Sequence, residues 1–506
     1  MRIISAAIRR RLASQEGFTM ILALGVMVVA TLIVAAVWVA VRGDIQLSQQ
    51  DLDGKRAYYA ASAGVNAYLY QLNQNPNYWE TCANDTQTTA SVPGATHGEE
   101  NSYSAVPANG STACTSDPIS SLIDTSSGTL RVEFTGYSGN PQVERTIVAS
   151  FRPNSPFDYL WYTVYEALDS SISGDSACGV WYRVSGGRPS ACNINWITGD
   201  VINGPMYTQD QYLISGSPTF GRYASDSIAS LASSICAGGS CGSATINGTP
   251  ATNINVPLPA NNQFLATDAA DYGTVYSGTT SIVLSGTTAT VTNCPSSCTT
   301  STVNLTTSPI IYVNNASGCT PPTYSPYSTT YSTTGCSGDV YVEGNYTAPL
   351  TIAAANDIII NGSLTTTANG SGVPTGGATL GLIANAFVRV MHGCTSSGNV
   401  SGQTLTNPTI DAAILAIQHS FIVDNFNCGA TLGHLTVNGA LAQNFRGAVG
   451  TSSNGTISTG YLKSYTYDNR LAYLLPPYLF DISQANWHLA RETQCTPNGG
   501  ALASAC

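Results

Sequence analysis

Cysteine is the residue type in this chain whose distribution most clearly indicates a chemistry. The chain has 14 cysteines, and all of them come after residue 81. An even number of cysteines confined to one part of a chain favours a disulfide framework formed in an oxidising compartment. Sequence leaves the connectivity open, and proximity along the chain predicts the pairs Cys82–Cys114, Cys178–Cys192, Cys236–Cys241, Cys294–Cys298, Cys319–Cys336, Cys394–Cys428 and Cys495–Cys506.

A metal site is the other chemistry that cysteine spacing can indicate. Cys294 and Cys298 lie close enough in sequence to supply part of a zinc site. A structural zinc ion needs further ligands at suitable spacing, and no histidine lies near these two residues. We therefore expect disulfides, with no metal and no cofactor.

Catalysis by carboxylates is a third possibility. Asp339, Glu343 and Asp357 fall on short segments that resemble each other, so these side chains could stack on one face. Clustered carboxylates carry out glycoside hydrolysis, but aspartate also favours turns. The histidines are dispersed and define no catalytic triad: His97, His392, His419, His434 and His488. We expect that the protein is not an enzyme.

The charge distribution argues against nucleic acid as a partner. The formal net charge is -11, and no lysine or arginine lies between Arg222 and Arg389. A segment without basic residues cannot neutralise phosphates.

The N-terminal segment indicates on which side of a membrane the rest of the chain lies. Residues 18–41 carry no charge, which exceeds the ~20 apolar residues needed for a helix to cross a membrane. Basic residues stay on the cytoplasmic side, so the chain after the apolar run is expected outside the cytoplasm. The basic residues before the run are Arg2, Arg9, Arg10 and Arg11.

Gly17 and Phe18 stand before the apolar run, whereas an ordinary secretory signal is cut after it. This arrangement resembles the leader of a type IV prepilin. The resemblance implies that prepilin peptidase cuts after Gly17, leaving Phe18 as the N-terminus of a retained helix. Major pilins usually carry glutamate at the fifth mature position, and here that residue is Leu22. The pattern therefore resembles a minor pilin or the tip pseudopilin of type II secretion.

The residues after the apolar run predict that the helix continues. No proline lies between residues 42 and 73, and apolar residues recur at helical spacing. Residues 58–64 are rich in small residues and resemble a segment of minor pilins of the PilX type. We predict a leader over residues 1–17 and one helix over residues 18–75, with its first half in the membrane and bends possible at Gly54 and Gly64. A helix of this length needs lipid or other pilins around its apolar half.

Two further domains and a terminal segment are predicted. Residues 76–155 are expected to form a small pilin-type α/β head, with a hairpin on the second half of the helix. Residues 156–480 read as short strands with glycine turns and predict a large, mostly-β domain. Repeated strand units favour a β-helix; the alternative is one or two antiparallel β-sandwiches. Residues 481–506 are expected to form a C-terminal cap over the edge of the β domain, with Asp481 or Ser483 capping a short helix.

Together these features predict a minor type IV pilin-like surface protein. It would be a single-pass membrane protein with its C-terminal part outside the cytoplasm, at the cell surface or in a pilus after assembly. Its partners would be other pilins and prepilin peptidase, and its β domain would serve adhesion or priming of a pilus or pseudopilus. Clustered tyrosines suit a glycan or surface protein ligand, although a single tyrosine more often fills the surface of a β-strand; the clusters contain Tyr324, Tyr327, Tyr461, Tyr465 and Tyr467. The alternative is a membrane-anchored β-helical carbohydrate-active enzyme.

Overall fold

A computed structural model describes residues 16–124, 127–140, 142–185, 187–453, 456–479 and 487–495. The α-helices in these residues are α1 Glu16–Gln74, α2 Pro118–Leu122, α3 Ser170–Ser173, α4 Tyr182–Ser185 and α5 Gln263–Tyr272. The strands are β1 Thr86–Ser91, β2 Glu100–Ala105, β3 Ile123–Asp124, β4 Thr129–Ser138, β5 Val143–Pro153, β6 Trp161–Tyr165, β7 Trp196–Ile197, β8 Val201–Asn203, β9 Met206–Thr208, β10 Ile214–Ser215, β11 Thr219–Phe220, β12 Ser227–Ser230, β13 Thr245–Ile246, β14 Thr249–Ala251, β15 Thr274–Ser277, β16 Thr280–Gly286, β17 Thr288–Asn293, β18 Thr299–Asn304, β19 Ile310–Asn314, β20 Val340–Tyr346, β21 Leu350–Ala354, β22 Ile358–Thr365, β23 Leu380–Ala384, β24 Val388–Val390, β25 His392–Thr395, β26 Gly398–Thr404, β27 Thr409–Ala416, β28 Phe421–Val423, β29 Thr431–Phe445, β30 Gly450–Ser453, β31 Thr456–Tyr467 and β32 Trp487–Cys495.

The long helix α1 dominates the N-terminal part of the chain. Its 59 residues span about 90 Å at a rise of ~1.5 Å per residue. It passes through Gly54 and Gly64 without interruption, so the bends considered for these glycines do not break it. Each glycine instead lies against the head: a Cβ at Gly64 would meet the Phe134 ring at 3.0 Å. The helix ends next to Pro76, which has no amide hydrogen to continue it.

An antiparallel sheet packs on the second half of α1 and forms the head. The strand order is β1-β2-β4-β5-β32, with β3 paired to β4. Alternate residues of β4 are buried, as its apolar pattern predicts: Leu130, Val132 and Phe134. They share one core with buried side chains of the helix, namely Ala61, Val65, Tyr68 and Leu72.

The sheet comes closest to the helix at Gly136 of β4. A Cβ built on this residue would lie 2.0 Å from the Ala57 carbonyl oxygen and 2.4 Å from the Ala61 amide nitrogen. These are backbone atoms, which cannot rotate away as the end of a side chain can. Only glycine therefore permits this contact between strand and helix.

The last described strand, β32, belongs to the head and corrects the predicted C-terminal cap. It pairs antiparallel with β5, from Trp487 opposite Pro153 to Cys495 opposite Thr146. The Trp487 indole packs in the head core and donates to the Pro76 carbonyl at 3.1 Å. Asp481 and Ser483, the predicted helix caps, lie outside the described residues. The β domain is thus inserted between two neighbouring strands of the head.

The β-rich region consists mainly of parallel strands stacked in columns. The longest column has the order β15-β19-β21-β23-β27-β29-β6-β9-β12-β14, and each neighbouring pair is parallel. A second column is β16-β20-β22-β24-β28, also parallel. A third joins β29, β31, β8, β11 and β13. These columns of parallel strands differ from the antiparallel sheets that the β-sandwich alternative predicts.

The strand order in the first column does not follow the order of the chain. Tyr162 of β6, the first strand of the domain, pairs with Ala442 of β29 on one side and Tyr207 of β9 on the other. The chain therefore enters the column in its middle and first forms the half that runs from β6 to β14. It then continues at the opposite end of the column, where β15 begins the other half. The second half ends with β29 and β31, which pair with β6 and β8 of the first half.

Substitution of Gly136 tests the contact between the head sheet and the helix. We expect Gly136→Val to destabilise the head by about 3 kcal/mol, because the strand must move away from the helix backbone. Thermal unfolding of the detergent-solubilised chain, followed by near-ultraviolet circular dichroism, would measure the loss. Gly43→Ala is the control, since a Cβ there has no atom within 4 Å; equal stability of the Gly136 variant and the native chain would refute the contact.

Asp85 makes the stability of the head depend on pH. Its side chain is buried, and neither carboxylate oxygen has a hydrogen-bond partner among the described residues. Burial raises the pKa of Asp85 from 3.8 to about 7. The folded chain therefore holds a proton between these values that the unfolded chain has lost, so stability falls as the pH rises through this window.

We expect the native head to be less stable at pH 8 than at pH 5 by about 2–3 kcal/mol from Asp85 alone. Asp85→Asn should remove this part of the pH dependence and raise the unfolding temperature at pH 8. Unfolding curves at the two pH values would measure it. Glu144→Gln, at an exposed position of β5, should retain the native pH profile, and a profile unchanged by Asp85→Asn would contradict the assignment.

Candidate functional site

The first half of α1 is an apolar helix that no other part of the described chain covers. From Met20 onward its large apolar side chains face outward, and Leu22 is 60% exposed. Among the described residues, α1 is the helix that is long and apolar enough to cross a membrane. Exposed apolar surface on this scale is unfavourable in water. An apolar environment such as a lipid bilayer would remove this surface from water.

The polar groups at this half of the helix are arranged to suit an apolar environment. The Thr31 hydroxyl donates to the Val28 carbonyl at 2.8 Å, so it needs no partner outside the helix. Arg42, the first charged residue after the apolar run, stacks over the Trp38 ring at 3.8 Å. Tryptophan and arginine side chains favour the boundary between hydrocarbon and water. Trp38 and Arg42 thus mark the end of the apolar segment.

The predicted cleavage residues lie at the beginning of α1. The helical backbone includes Gly17 and Phe18. Arg2, Arg9, Arg10 and Arg11 lie outside the described residues. Leu22 places an apolar side chain where major pilins usually carry glutamate. Cleavage after Gly17 remains a prediction.

The cysteines form disulfides throughout the described residues that follow α1. Six bridges join the pairs that lie near each other in sequence: Cys82–Cys114, Cys178–Cys192, Cys236–Cys241, Cys294–Cys298, Cys319–Cys336 and Cys394–Cys428. The pairing of Cys495 with Cys506 stays a prediction, because Cys506 lies outside the described residues. Cys294 and Cys298 are bonded to each other and so cannot offer thiolates to zinc.

The three candidate carboxylates do not form an open catalytic pair. Asp357 is buried and forms an ion pair with Arg389 at 3.0 Å. Asp339 accepts hydrogen bonds from the Asn356 amide and the Asp357 backbone. Burial raises the pKa of Asp357 to about 6, and the Arg389 guanidinium opposes that rise. The structure gives Asp339 and Asp357 partners that hold the fold together, and it gives Glu343 no such partner.

Arg389 is the centre of a buried cluster that sequence reasoning did not identify. It forms a second ion pair, with Asp424, at 2.9 Å. Tyr324 and Tyr331 donate to the two oxygens of Asp424 at 2.6 and 2.8 Å. Both tyrosines belong to the loop closed by the Cys319–Cys336 bridge. The cluster therefore binds this loop to the stacked strands.

The tyrosines predicted to suit a ligand are mostly internal. Tyr461, Tyr465 and Tyr467 are buried in the core of the β domain. Tyr324 donates to Asp424 and stacks with Arg389. Among the five, Tyr327 is the exposed one. Packing within the β domain therefore accounts for the buried tyrosines, and a glycan or surface protein ligand stays a prediction.

The histidines are as dispersed in space as they are in sequence. His419 has a carboxylate and a hydroxyl nearby, but both contact the same ring nitrogen: Asp169 at 2.7 Å and Ser171 at 3.4 Å from Nδ1. A catalytic triad needs them on opposite nitrogens. His392 is buried between Asp424 and Asn399, while His97 and His434 are exposed and His488 lies on β32.

A second buried polar cluster lies where the two halves of the β domain meet. Glu166 accepts hydrogen bonds from the indoles of Trp161 and Trp196 and from the Thr163 hydroxyl, at 3.0, 3.1 and 2.6 Å. Its fourth partner is Arg446, at 3.1 Å, from the second half of the domain. All four contacts satisfy one buried carboxylate. The sequence offered no signal for this cluster, because its members lie up to 280 residues apart.

A further ion pair and a histidine–carboxylate contact cross the same junction. Lys463 of β31 pairs with Asp200 at 2.9 Å, and Nδ1 of His419 lies 2.7 Å from a carboxylate oxygen of Asp169. Burial lowers the pKa of Lys463, and the nearby Asp200 carboxylate opposes that change. Buried charges are tolerated when each has a partner, and here each partner comes from the other half of the domain.

No family model matches this chain, and no curated protein matches it. Among solved structures, it is similar to the competence-associated pilin ComZ from Thermus thermophilus. The identity is 11% and the TM-score 0.31, over 88% of this chain and 97% of that chain. At this level the similarity does not by itself assign a function.

Substitution of Arg389 tests whether its cluster holds the 319–336 loop. Arg389→Met leaves Asp357 and Asp424 buried without a cation, so we expect a loss of about 3–5 kcal/mol. Thermal unfolding would measure the stability, and limited proteolysis would show whether the loop is cut faster. Lys55→Met is the matched control, because it breaks the exposed pair with Asp51, which is worth about 0–1 kcal/mol. Equal effects of the two substitutions would contradict the role of the cluster.

Proposed function

We propose that this chain is a minor type IV pilin-like surface protein that displays its β domain outside the cytoplasm. The observation that carries this proposal is the division of α1 into two halves. The first half is apolar and uncovered, while the second is docked on an antiparallel head sheet. Such a helix suits a subunit that is held in the membrane before assembly and among other pilins afterwards.

Leu22 supports the assignment to a minor component. A carboxylate in hydrocarbon is costly unless it is paired, and glutamate at this position is thought to pair with a neighbour's N-terminus in major pilins. Leu22 can contribute apolar packing only. The chain would therefore enter a pilus or pseudopilus without that contact, as a subunit present in few copies.

The insertion of the β domain supports a role in display. The domain is connected to the head at both ends, after β5 and before β32. A domain of this size is bulky for a subunit repeated along a tightly packed fibre. We infer a position at the tip or side, where the domain serves adhesion or assembly priming without catalysis. The disulfides support an oxidising location outside the cytoplasm.

The mature N-terminus provides the first test. We expect mass spectrometry of the chain from its native host to find Phe18 as the first residue. Gly17→Leu should block cleavage and remove the chain from isolated filaments. Gly25→Leu is the matched control within the same helix, and it should still be cut. An N-terminus at Met1, or a cut beyond residue 40, would contradict the proposal.

Deletion of the gene separates display from the enzymatic alternative. A display subunit predicts loss of piliation or adhesion, with glycan degradation unchanged. A membrane-anchored carbohydrate-active enzyme predicts the reverse. Counting filaments and measuring adhesion and glycan turnover in one pair of strains would distinguish the two functions.

A further inference from the structure

A cleft of about 580 Å³ lies at the junction between the two halves of the β domain. One wall comes from the segment before β8, including Asn195 and Ile197, and the other from residues around Val449 and β31. The volume lies within the roughly 300–1,000 Å³ of small-molecule sites. Because each half supplies one wall, the cleft exists only when the halves are joined.

The arginine, lysine and aspartate side chains that line the cleft are already paired. Arg446 pairs with Glu166 at 3.1 Å, and Lys463 pairs with Asp200 at 2.9 Å. An anionic ligand would compete with Asp200 for Lys463 and leave a charge unpaired in a partly buried site, which is costly. The Lys463 ammonium has three N–H donors, and one of them meets Asp200. A neutral ligand with hydroxyl groups can accept the others without disturbing the pair.

The sides of the cleft combine polar and apolar groups. Asn195 and His434 are exposed at its rim, where they can donate and accept hydrogen bonds. Val449, Ile457 and Leu462 line the cleft with aliphatic surface. A sugar ring presents hydroxyl groups at its edge and C–H groups on its faces. The polar side chains of the cleft can bind the hydroxyl groups, and its aliphatic side chains can pack against the C–H faces.

We propose that this cleft binds a neutral saccharide of one or two sugar units. The proposal rests on the proposed function, since it names the ligand class that the displayed β domain recognises. Binding of the saccharide would affect the junction between the two halves of the β domain. Arg446 both lines the cleft and stacks on Trp196, 3.8 Å from the ring centroid.

The test uses the full chain in a detergent without a sugar headgroup. Saturation-transfer NMR would be recorded with galactose, N-acetylglucosamine and lactose, and with glucuronate and N-acetylneuraminate as acidic counterparts. We expect saturable binding of at least one neutral sugar, with weaker or no binding of the acidic ones. Tryptophan fluorescence of the native chain should change over the same concentration range, because Trp196 lies next to Arg446.

Variants at the rim connect the binding to this cleft. Asn195→Ala combined with His434→Ala should weaken binding about tenfold or more, which corresponds to ~1.4 kcal/mol. Asn195→Trp should block the cleft. Their matched controls are Asn304→Ala combined with His97→Ala, and Asn304→Trp, at exposed positions of β18 and the head. Unfolding curves would verify that each variant is folded; if Asn195→Trp is not, the double alanine variant decides.

Three results would overturn the proposal: no neutral sugar bound by the folded chain, binding of acidic sugars only, or equal binding by the rim variants and their controls. These failures are distinguishable from a failure of the proposed function. Sugar binding is measured on the purified chain, whereas pilin-like processing is read from the mature N-terminus. A chain that begins at Phe18 but binds no sugar would contradict the sugar-binding proposal and leave the proposed function intact.

Discussion

Antiparallel pairing of β32 with β5 brings the two ends of the β domain together on the head. It places Trp487 opposite Pro153, so the chain must return to its point of departure after building the whole β domain. The two connections to the head leave from neighbouring strands. A domain held at both ends in this way has less freedom to rotate on the head than one held by a single linker. If the domain is displayed as proposed, this attachment would give it a defined orientation on the head.

The same constraint accounts for the strand order inside the β domain. A domain whose ends meet can be closed by joining its first strand to its last strands, and β6 lies between β29 and β9 for this reason. The junction is then held by buried ion pairs, among them Arg446 with Glu166. Burying a charge is costly unless its partner is in place. These pairs are therefore satisfied only when the two halves meet in this one register.

Local features of the structure could be predicted because short-range physics determines them. The alternation in β4 placed Leu130, Val132 and Phe134 on the buried face, since successive side chains of a strand point in opposite directions. Consecutive cysteines form six of the predicted bridges, because a cysteine can bond only to another cysteine and the chain offers few candidates. Asp357 could not be interpreted in this way. Its partner Arg389 is 32 residues away, and no local pattern indicates that a buried aspartate will face an arginine.

The amino-acid sequence was sufficient to predict the apolar helix over residues 18–41 and the disulfides after it, because both depend on composition and spacing rather than on distant contacts. It also indicated that short strands follow. Which strands are neighbours depends on long-range packing: β32 completes the head, β6 enters the middle of a column, and Glu166 meets Arg446. The alternation of a strand determines which of its faces is buried. It carries no information about which strand, hundreds of residues away, will lie beside it.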